Sequence, residues 1–297
     1  MQLFFRLLSL FLLIVTSYVY SYEPRGIIYG EDGRIDASSS SDANFLEMSR
    51  SVAGMVRKSK MSLEDDSYLT KLITFEVDLL GPDAEASFCS SERFSQEYVL
   101  PICSGFLISE DILVTAGHCI RNKKDCSSHY WVFDYTAEES ELIKHDGINE
   151  ENVFSCEEVL ETKLDDSQDY AVIKLDRKVP NREPLKIRKE GIAEIDTPLA
   201  VIGHPSGLPL KFADGASVTS RSSRNLFLAD LDTYGGNSGS PVFNADTYEV
   251  EGILIRGEQD FIFDRKKLCL RSNQVKSSAK AGEVVADISS IPFLKNL

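Results

Sequence analysis

Apolar residues in this chain fall in short bursts, many with a two-residue rhythm, set apart by turn-forming residues. The stretches "GFLIS", "ILVTA", "WVFDY", "YAVIKL", "LAVIG", "ASVTS", "NLFLAD", "PVF" and "VEGILI" each read as a strand, and "ITFEVDLL" reads the same way. Many short strands divided by Gly, Pro and Asp predict a mainly β fold, a barrel or sandwich. Two stretches depart from that rhythm. Phe45, Met48, Val52, Met55 and Val56 recur at helical spacing, with Arg50, Arg57, Lys58 and Lys60 among them. They predict a short amphipathic helix, followed by a polar turn at Glu64-Asp65-Asp66. Near the end, "GEVVADISSIPFL" predicts a short C-terminal helix from Glu283 to Ile291, stopped by Pro292.

The first residues follow another pattern. In "MQLFFRLLSLFLLIVTSYVYSYEPRG" one cation, Arg6, precedes an apolar run from Leu7 to Val15, and Val19 and Ser21 occupy the small-residue positions of a cleavage site. Residues 1–21 therefore read as a secretory signal, which leaves no stable membrane anchor once it is removed. Residues 22–68, with the linker-like "ASSSSD", read as an N-terminal segment, either a removable pro-region or a strap on the main domain. The main domain is expected over residues 69–297. With 297 residues the chain can bury a sizeable core, as one large domain or two fused halves.

Composition narrows the chemistry. An ordinary share of apolar residues (42%) and charged residues (27%) excludes wholesale disorder. A formal charge of −15 argues against nucleic acid as a partner. Secretion permits disulfides, and the six cysteines are an even number. With four histidines and no CxxC or HExxH, no metal site is expected.

One stretch calls for chemistry. In "DTYGGNSGSPVF" (Asp232 to Phe243), Ser238 lies between small residues, with Gly235, Gly236 and Gly239 close by. Glycines there indicate a tight bend that something approaches closely. A serine nucleophile needs a histidine base and an acid to orient it. His118 follows the run Ile112 to Ala116 in "LVTAGHC", and Asp169 precedes the strand pattern Tyr170 to Leu175 in "SQDYAVIKLD". The chain order is His118, Asp169, Ser238. Ser240 takes the position where the GxSxG elbow has its final glycine, and the order differs from that of the α/β-hydrolases.

"TAGHC", "DYAVIKL" and "GGNSGSPVF", in this order, resemble the three catalytic motifs of trypsin/chymotrypsin-fold serine peptidases. "GNSGSP", "IIYGEDGRID" and "GHPSGLPLK" are more similar to the secreted glutamyl-endopeptidase-like branch. The resemblance covers roughly residues 70–270 and implies two packed six-stranded antiparallel β-barrels, joined near residues 177–195, with the site between them. It implies a secreted, extracellular serine endopeptidase acting on protein or peptide substrates without a cofactor, a monomer by default. Ser238 would attack the scissile carbonyl, His118 would move the proton, and Asp169 would orient the imidazole. The backbone N–H groups of Gly236 and Ser238 would form the oxyanion hole.

The same resemblance implies a Cys103–Cys119 disulfide, while Cys89, Cys126, Cys156 and Cys269 have three pairings open. It assigns substrate binding to Asp232, Thr233, Leu254 and Gly257. Asp232, six residues before Ser238, is expected at the base of the primary pocket, favouring Arg or Lys in the substrate. Leu254 stands where the glutamyl branch has a substrate-binding histidine, so strict Glu preference is not expected. Arg256 is placed either to neutralise Asp232 or to attract acidic side chains. Asn237 directly precedes the nucleophile and carries no charge, so the trypsin-like ammonium–aspartate activation switch is absent. "EPRGIIYG" offers a zymogen-processing site after Arg25 or Gly26. Two other readings are a catalytically silent homologue serving as a binding or adhesion module, and an esterase-type serine hydrolase.

Overall fold

The computed structural model describes residues 26–276 and 282–296. The expected signal over residues 1–21 and the processing position Arg25 lie outside the described residues. Twelve strands close into two antiparallel barrels of six. The first uses β1 (Val52–Arg57), β2 (Cys103–Leu107), β3 (Ile112–Thr115), β4 (His129–Phe133), β5 (Val153–Asp165) and β6 (Gln168–Leu175), hydrogen-bonded in the order β4-β5-β6-β3-β2-β1 and back to β4. The second uses β7 (Pro198–Gly203), β8 (Lys211–Arg221), β9 (Leu226–Ala229), β10 (Pro241–Asn244), β11 (Val250–Arg256) and β12 (Glu283–Asp287). Its order is β7-β10-β11-β12-β9-β8, closed by β7–β8 pairing.

Closure removes the open sheet edges and gives each strand an inward face to fill. Phe106, Trp131 and Phe154 are fully buried in the first barrel, and Leu199, Val218, Phe227, Val242 and Val285 in the second. Each such side chain contributes about 1.5–3 kcal/mol by leaving water. The core of the first barrel continues into the second, in one cluster that joins Phe106, Val114 and Ala171 to Ala200, Ile202, Phe243 and Ile253. That shared core fixes the two barrels against each other, so side chains at their junction are held in register.

Three expectations need correction. The helical spacing from Phe45 to Val56 yields a helix only over Ala43–Ser49, capped by Asp42, which accepts from the Asn44 N–H at 2.8 Å. Val52–Arg57 is β1 of the first barrel. Val52, Ala53, Met55 and Val56 are all buried, and a strand covered on both faces loses the alternation that would mark it. The break expected at residue 69 thus falls after a barrel strand has already been laid down. A pro-region removable through residue 68 would take β1 with it. Strap-like behaviour belongs to the residues before it: Ile28–Tyr29 pairs with Gln274–Val275 and Ile35–Asp36 pairs with β8.

The C-terminal helix is not formed over Glu283–Ile291. Those residues are β12 and a single 3-10 turn, Ile288–Ser290, followed by a second turn at Phe293–Asn296. The β-branched Val284 and Val285 find two strand partners, β9 and β11, and tertiary pairing overrides the helical pattern. "ITFEVDLL" is mostly helix, Phe75–Leu80, entered through Thr74, whose hydroxyl accepts from the Val77 N–H at 3.4 Å.

Candidate active site

The first barrel supplies one wall. His118 sits on the turn leaving β3, and Asp169 is the second residue of β6, the strand paired with β3. Pairing of these strands brings the two residues together twice. Asp169 Oδ1 accepts the His118 backbone N–H at 3.0 Å, and Asp169 Oδ2 lies 2.8 Å from His118 Nδ1. The carboxylate is 14% exposed and the imidazole 36%, so a shielded acid orients a ring that still reaches solvent. With Nδ1 engaged, Nε2 is the nitrogen left to exchange a proton.

The second barrel supplies the loop that carries Ser238, between β9 and β10. Gly236 and Gly239 flank Asn237-Ser238 with φ of +94° and +92°, a conformation that suits glycine. A Cβ at position 239 would come within 2.0 Å of the Ser104 carbonyl, so the loop presses directly on β2 of the other barrel. Ser104 N–H donates to the Ser238 carbonyl at 2.8 Å, and Ser104 Oγ donates to the Gly236 carbonyl at 3.1 Å. With these carbonyls held from the first barrel, the loop amides are left to turn the other way. Among the described residues, neither the Gly236 nor the Ser238 N–H has a protein acceptor. Two such donors beside a serine are the arrangement an oxyanion requires.

His118 and Ser238 line one cleft of about 730 Å³. Among the described residues no hydrogen bond joins their side chains, an open geometry that is common before substrate binds. The rest of the wall comes mainly from the second barrel: Leu254 and Arg256 on β11, then Gly257, Asp260, Phe261 and Glu283. Leu79 and Leu80, from the helix Phe75–Leu80, close one side.

The pocket residues are distributed differently from the sequence expectation. Asp232 does not line the cleft. It is 8% exposed, and its oxygens accept the backbone N–H groups of Tyr29 at 2.7 Å and Gly33 at 2.8 Å. Burial pushes its carboxyl up to about 6. The residue ties the N-terminal strap to the segment before Ser238, which is why it is not turned to the cleft. Thr233 is buried behind the wall, where its hydroxyl donates to Glu283 Oε2 at 2.9 Å. Leu254 and Gly257 are on the wall itself. Arg256 is exposed there and makes no ion pair with Asp232.

Sequence reasoning missed Ser104, Asp260 and Glu283. Ser104 has no motif of its own, and its position directly after Cys103 was the only available signal. Asp260 accepts the Gly235 N–H at 2.9 Å, and burial raises its carboxyl to about 6. Glu283 is 1% exposed, and burial drives its carboxyl well above the usual range.

Disulfides join Cys103–Cys119, Cys89–Cys269 and Cys126–Cys156. The first clamps β2 to the turn that bears His118. Both of its sulfurs are oxidised, so their proximity to His118 does not make a thiolate metal site. Cys89–Cys269 fastens the hairpin of Phe261–Asp264 and Cys269–Ser272, whose Phe261 and Leu270 line the cleft. No helix among the described residues is long and apolar enough to cross a membrane.

The comparisons agree with this architecture. The solved Glu endopeptidase in complex with MPD matches at 17% identity with a TM-score of 0.51, over 91% of this chain and 100% of the other. The VesB protease of Vibrio cholerae matches at 14% identity with a TM-score of 0.50, over 89% of this chain and 65% of the other. At such identities the likeness concerns the fold. No curated protein matches. The pattern of the trypsin-like peptidase domain matches residues 103–253, from Cys103 of β2 through the Ser238 loop into β11. The chain belongs to the trypsin-like peptidase family, and its mainly β, two-barrel architecture is the chymotrypsin-like fold.

Proposed function

We propose that this protein is a secreted serine endopeptidase that cleaves protein or peptide substrates through an acyl-enzyme on Ser238. The observation that carries the reading is the His118–Asp169 pair, 2.8 Å apart, on the same cleft as Ser238. Ser238 Oγ adds to the scissile carbonyl as His118 Nε2 takes its proton. The Gly236 and Ser238 N–H groups receive the developing oxyanion. His118 returns the proton to the leaving amine, water repeats the sequence in reverse, and Asp169 holds the ring throughout.

Secretion rests on the pattern of residues 1–21, and the three disulfides are compatible with an oxidising, extracellular setting. Processing after Arg25 or Gly26 remains part of the reading. It would free an end next to Ile27, a buried residue of the cleft wall. A preference for Arg or Lys before the scissile bond is retained, but Asp232 is not its source.

Ser238→Ala is expected to cut peptide turnover by on the order of 10⁴-fold or more, and to abolish labelling by a serine-reactive phosphonate. Near-normal turnover in that variant overturns the assignment. Ester turnover without amide turnover in the wild type makes the protein an esterase, and labelling without either leaves a binding module.

A further inference from the structure

One peptide group of the Ser238 loop has an orientation that its own residues do not fix. Gly235 and Gly236 both lack a Cβ, so little in the local chain opposes rotation of the peptide between them. A trans peptide carries its C=O and its N–H on opposite sides. Whatever holds the Gly235 carbonyl therefore decides where the Gly236 N–H points. The holder is the Ser206 N–H, which donates to that carbonyl.

Ser206 belongs to a turn that the catalytic chemistry does not touch. The segment His204 to Leu208 leaves β7 and runs alongside the Ser238 loop. A Cβ on Gly203 would meet Ser240 Oγ at 1.9 Å and Asn237 Oδ1 at 2.5 Å. One on Gly236 would meet the His204 carbonyl oxygen at 2.7 Å and the Ser206 nitrogen at 2.9 Å. Segments pack this closely only where glycine lets the backbones approach. Ser206 itself has φ +51° and ψ +25°, a left-handed conformation that a residue with a side chain keeps only where its surroundings impose it.

His204 closes that turn. Its ring is 1% exposed, and Nδ1 lies 3.0 Å from the Leu208 carbonyl oxygen. A carbonyl can only accept, so Nδ1 carries the proton there. The ring is wedged against the first barrel, where a Cβ on Gly54 of β1 would come within 3.1 Å of its Cδ2. The His204 backbone N–H donates to Ser104 Oγ at 3.0 Å, and the same hydroxyl donates to the Gly236 carbonyl at 3.1 Å. Ser104 is fully buried on β2, so the first barrel closes the brace from its own side. Turn and hydroxyl together hold the carbonyls of Gly235 and Gly236.

We propose that His204 and Ser104 are positioning residues, which keep the Gly235–Gly236 peptide turned so that its N–H faces the reacting carbonyl. The inference rests on the serine-peptidase reading, because an acyl-transfer site is what gives that N–H an oxyanion to receive. Without the brace the peptide turns over and presents a carbonyl where a donor is needed. Substrate still binds, since neither His204 nor Ser104 lines the cleft.

The test uses the full-length protein, one peptide that the wild type cleaves, and the aldehyde of that peptide's acyl half, whose hemiacetal with Ser238 places an oxygen at the oxyanion position. His204→Leu is expected to lower kcat on the order of 10²-fold, to leave KM nearly unchanged, and to weaken aldehyde inhibition by the same factor as kcat. Ser104→Ala lowers both by about tenfold. His204→Asn, whose side-chain amide replaces the Nδ1 donor, recovers most of the kcat lost in His204→Leu. Calorimetry on Ser238→Ala shows unchanged affinity for the uncleaved peptide when either substitution is added.

Full kcat in a folded Ser104→Ala protein overturns the inference and leaves the peptidase reading standing. So does a loss of peptide affinity equal to the loss of kcat, which would make the turn part of the substrate site. His204→Asn as slow as His204→Leu overturns the role of Nδ1. If His204→Leu fails to fold, the kcat and aldehyde measurements on Ser104→Ala decide. A wild type that neither cleaves peptides nor binds aldehydes removes the peptidase reading and the inference with it.

Discussion

The two walls of the cleft use hydrogen bonding in opposite ways. On the first barrel, Asp169 spends both oxygens on His118, one on the backbone and one on the ring. On the second barrel, the Gly236 N–H and the Ser238 N–H lack partners among the described residues. In the proposed mechanism, the groups that must keep one geometry are bonded within the protein, and those that would meet a substrate are left short. Asp232 sharpens the contrast. It is a buried carboxylate six residues before Ser238, yet both its oxygens are taken by backbone amides.

If this division holds, substitutions on the two walls separate into different measurements. The largest effect is expected on the bonded wall. Asp169→Asn removes the acceptor that fixes the His118 tautomer, and kcat should fall by roughly 10⁴-fold with a much smaller change in KM. A comparable rise in KM would mean that Asp169 serves binding. On the other wall, Gly257→Ala puts a methyl group onto the Glu283 carboxylate. The carboxylate must move, and kcat/KM for an Arg peptide should drop on the order of tenfold to a hundredfold while phosphonate labelling of Ser238 persists. Loss of labelling would join the two walls into one unit.

Asp232→Ala is expected to act on stability. It strands the Tyr29 and Gly33 amides, at a cost of about 1–3 kcal/mol each, and the unfolding midpoint should drop without a change in substrate preference. A changed preference would restore Asp232 to the pocket.

The smallest effect is the pH dependence of stability. Burial lifts Asp232 and Asp260 from 3.8 to about 6, so the folded state holds their protons more tightly than the unfolded chain. Their contribution is present below pH 4 and is lost as pH rises through 6. Buried His204 is pushed down from 6.5 to about 4, so its contribution is present above 6.5 and is lost as pH falls through 4. The gain in unfolding temperature on going from pH 7 to pH 5 should shrink in Asp232→Asn and grow in His204→Gln. Equal profiles in the two variants would contradict both assignments.

The parts of this site that could be read from sequence are those tied to a local pattern. His118 ends a β-branched run, Asp169 opens an alternating one, and Ser238 sits among glycines that a bend requires. The strands could be read where apolar residues alternate or branch at Cβ. Val52–Arg57 was hidden because both its faces are covered, and Glu283–Asp287 because its two strand partners are distant in sequence. The cleft acids escaped for the same reason. Glu283 reaches the wall through β12 pairing, and Asp260 through a loop bond to Gly235, neither of which leaves a spacing signature. Counting back from Ser238 selected Asp232 instead, because residue spacing carries no record of which way a side chain turns.

The Cys89–Cys269 bridge also bears on how the molecule is made. Its partners are 180 residues apart, and the other two bridges, with separations of 16 and 30, lie wholly between them. During synthesis Cys89 leaves the ribosome first among the cysteines and must wait while four others appear and pair. If the chain is exported as proposed, a lone thiol stands beside two nascent disulfides until nearly the whole second barrel has emerged. Correct assembly depends on the first barrel closing its own bridges before that thiol can exchange with them.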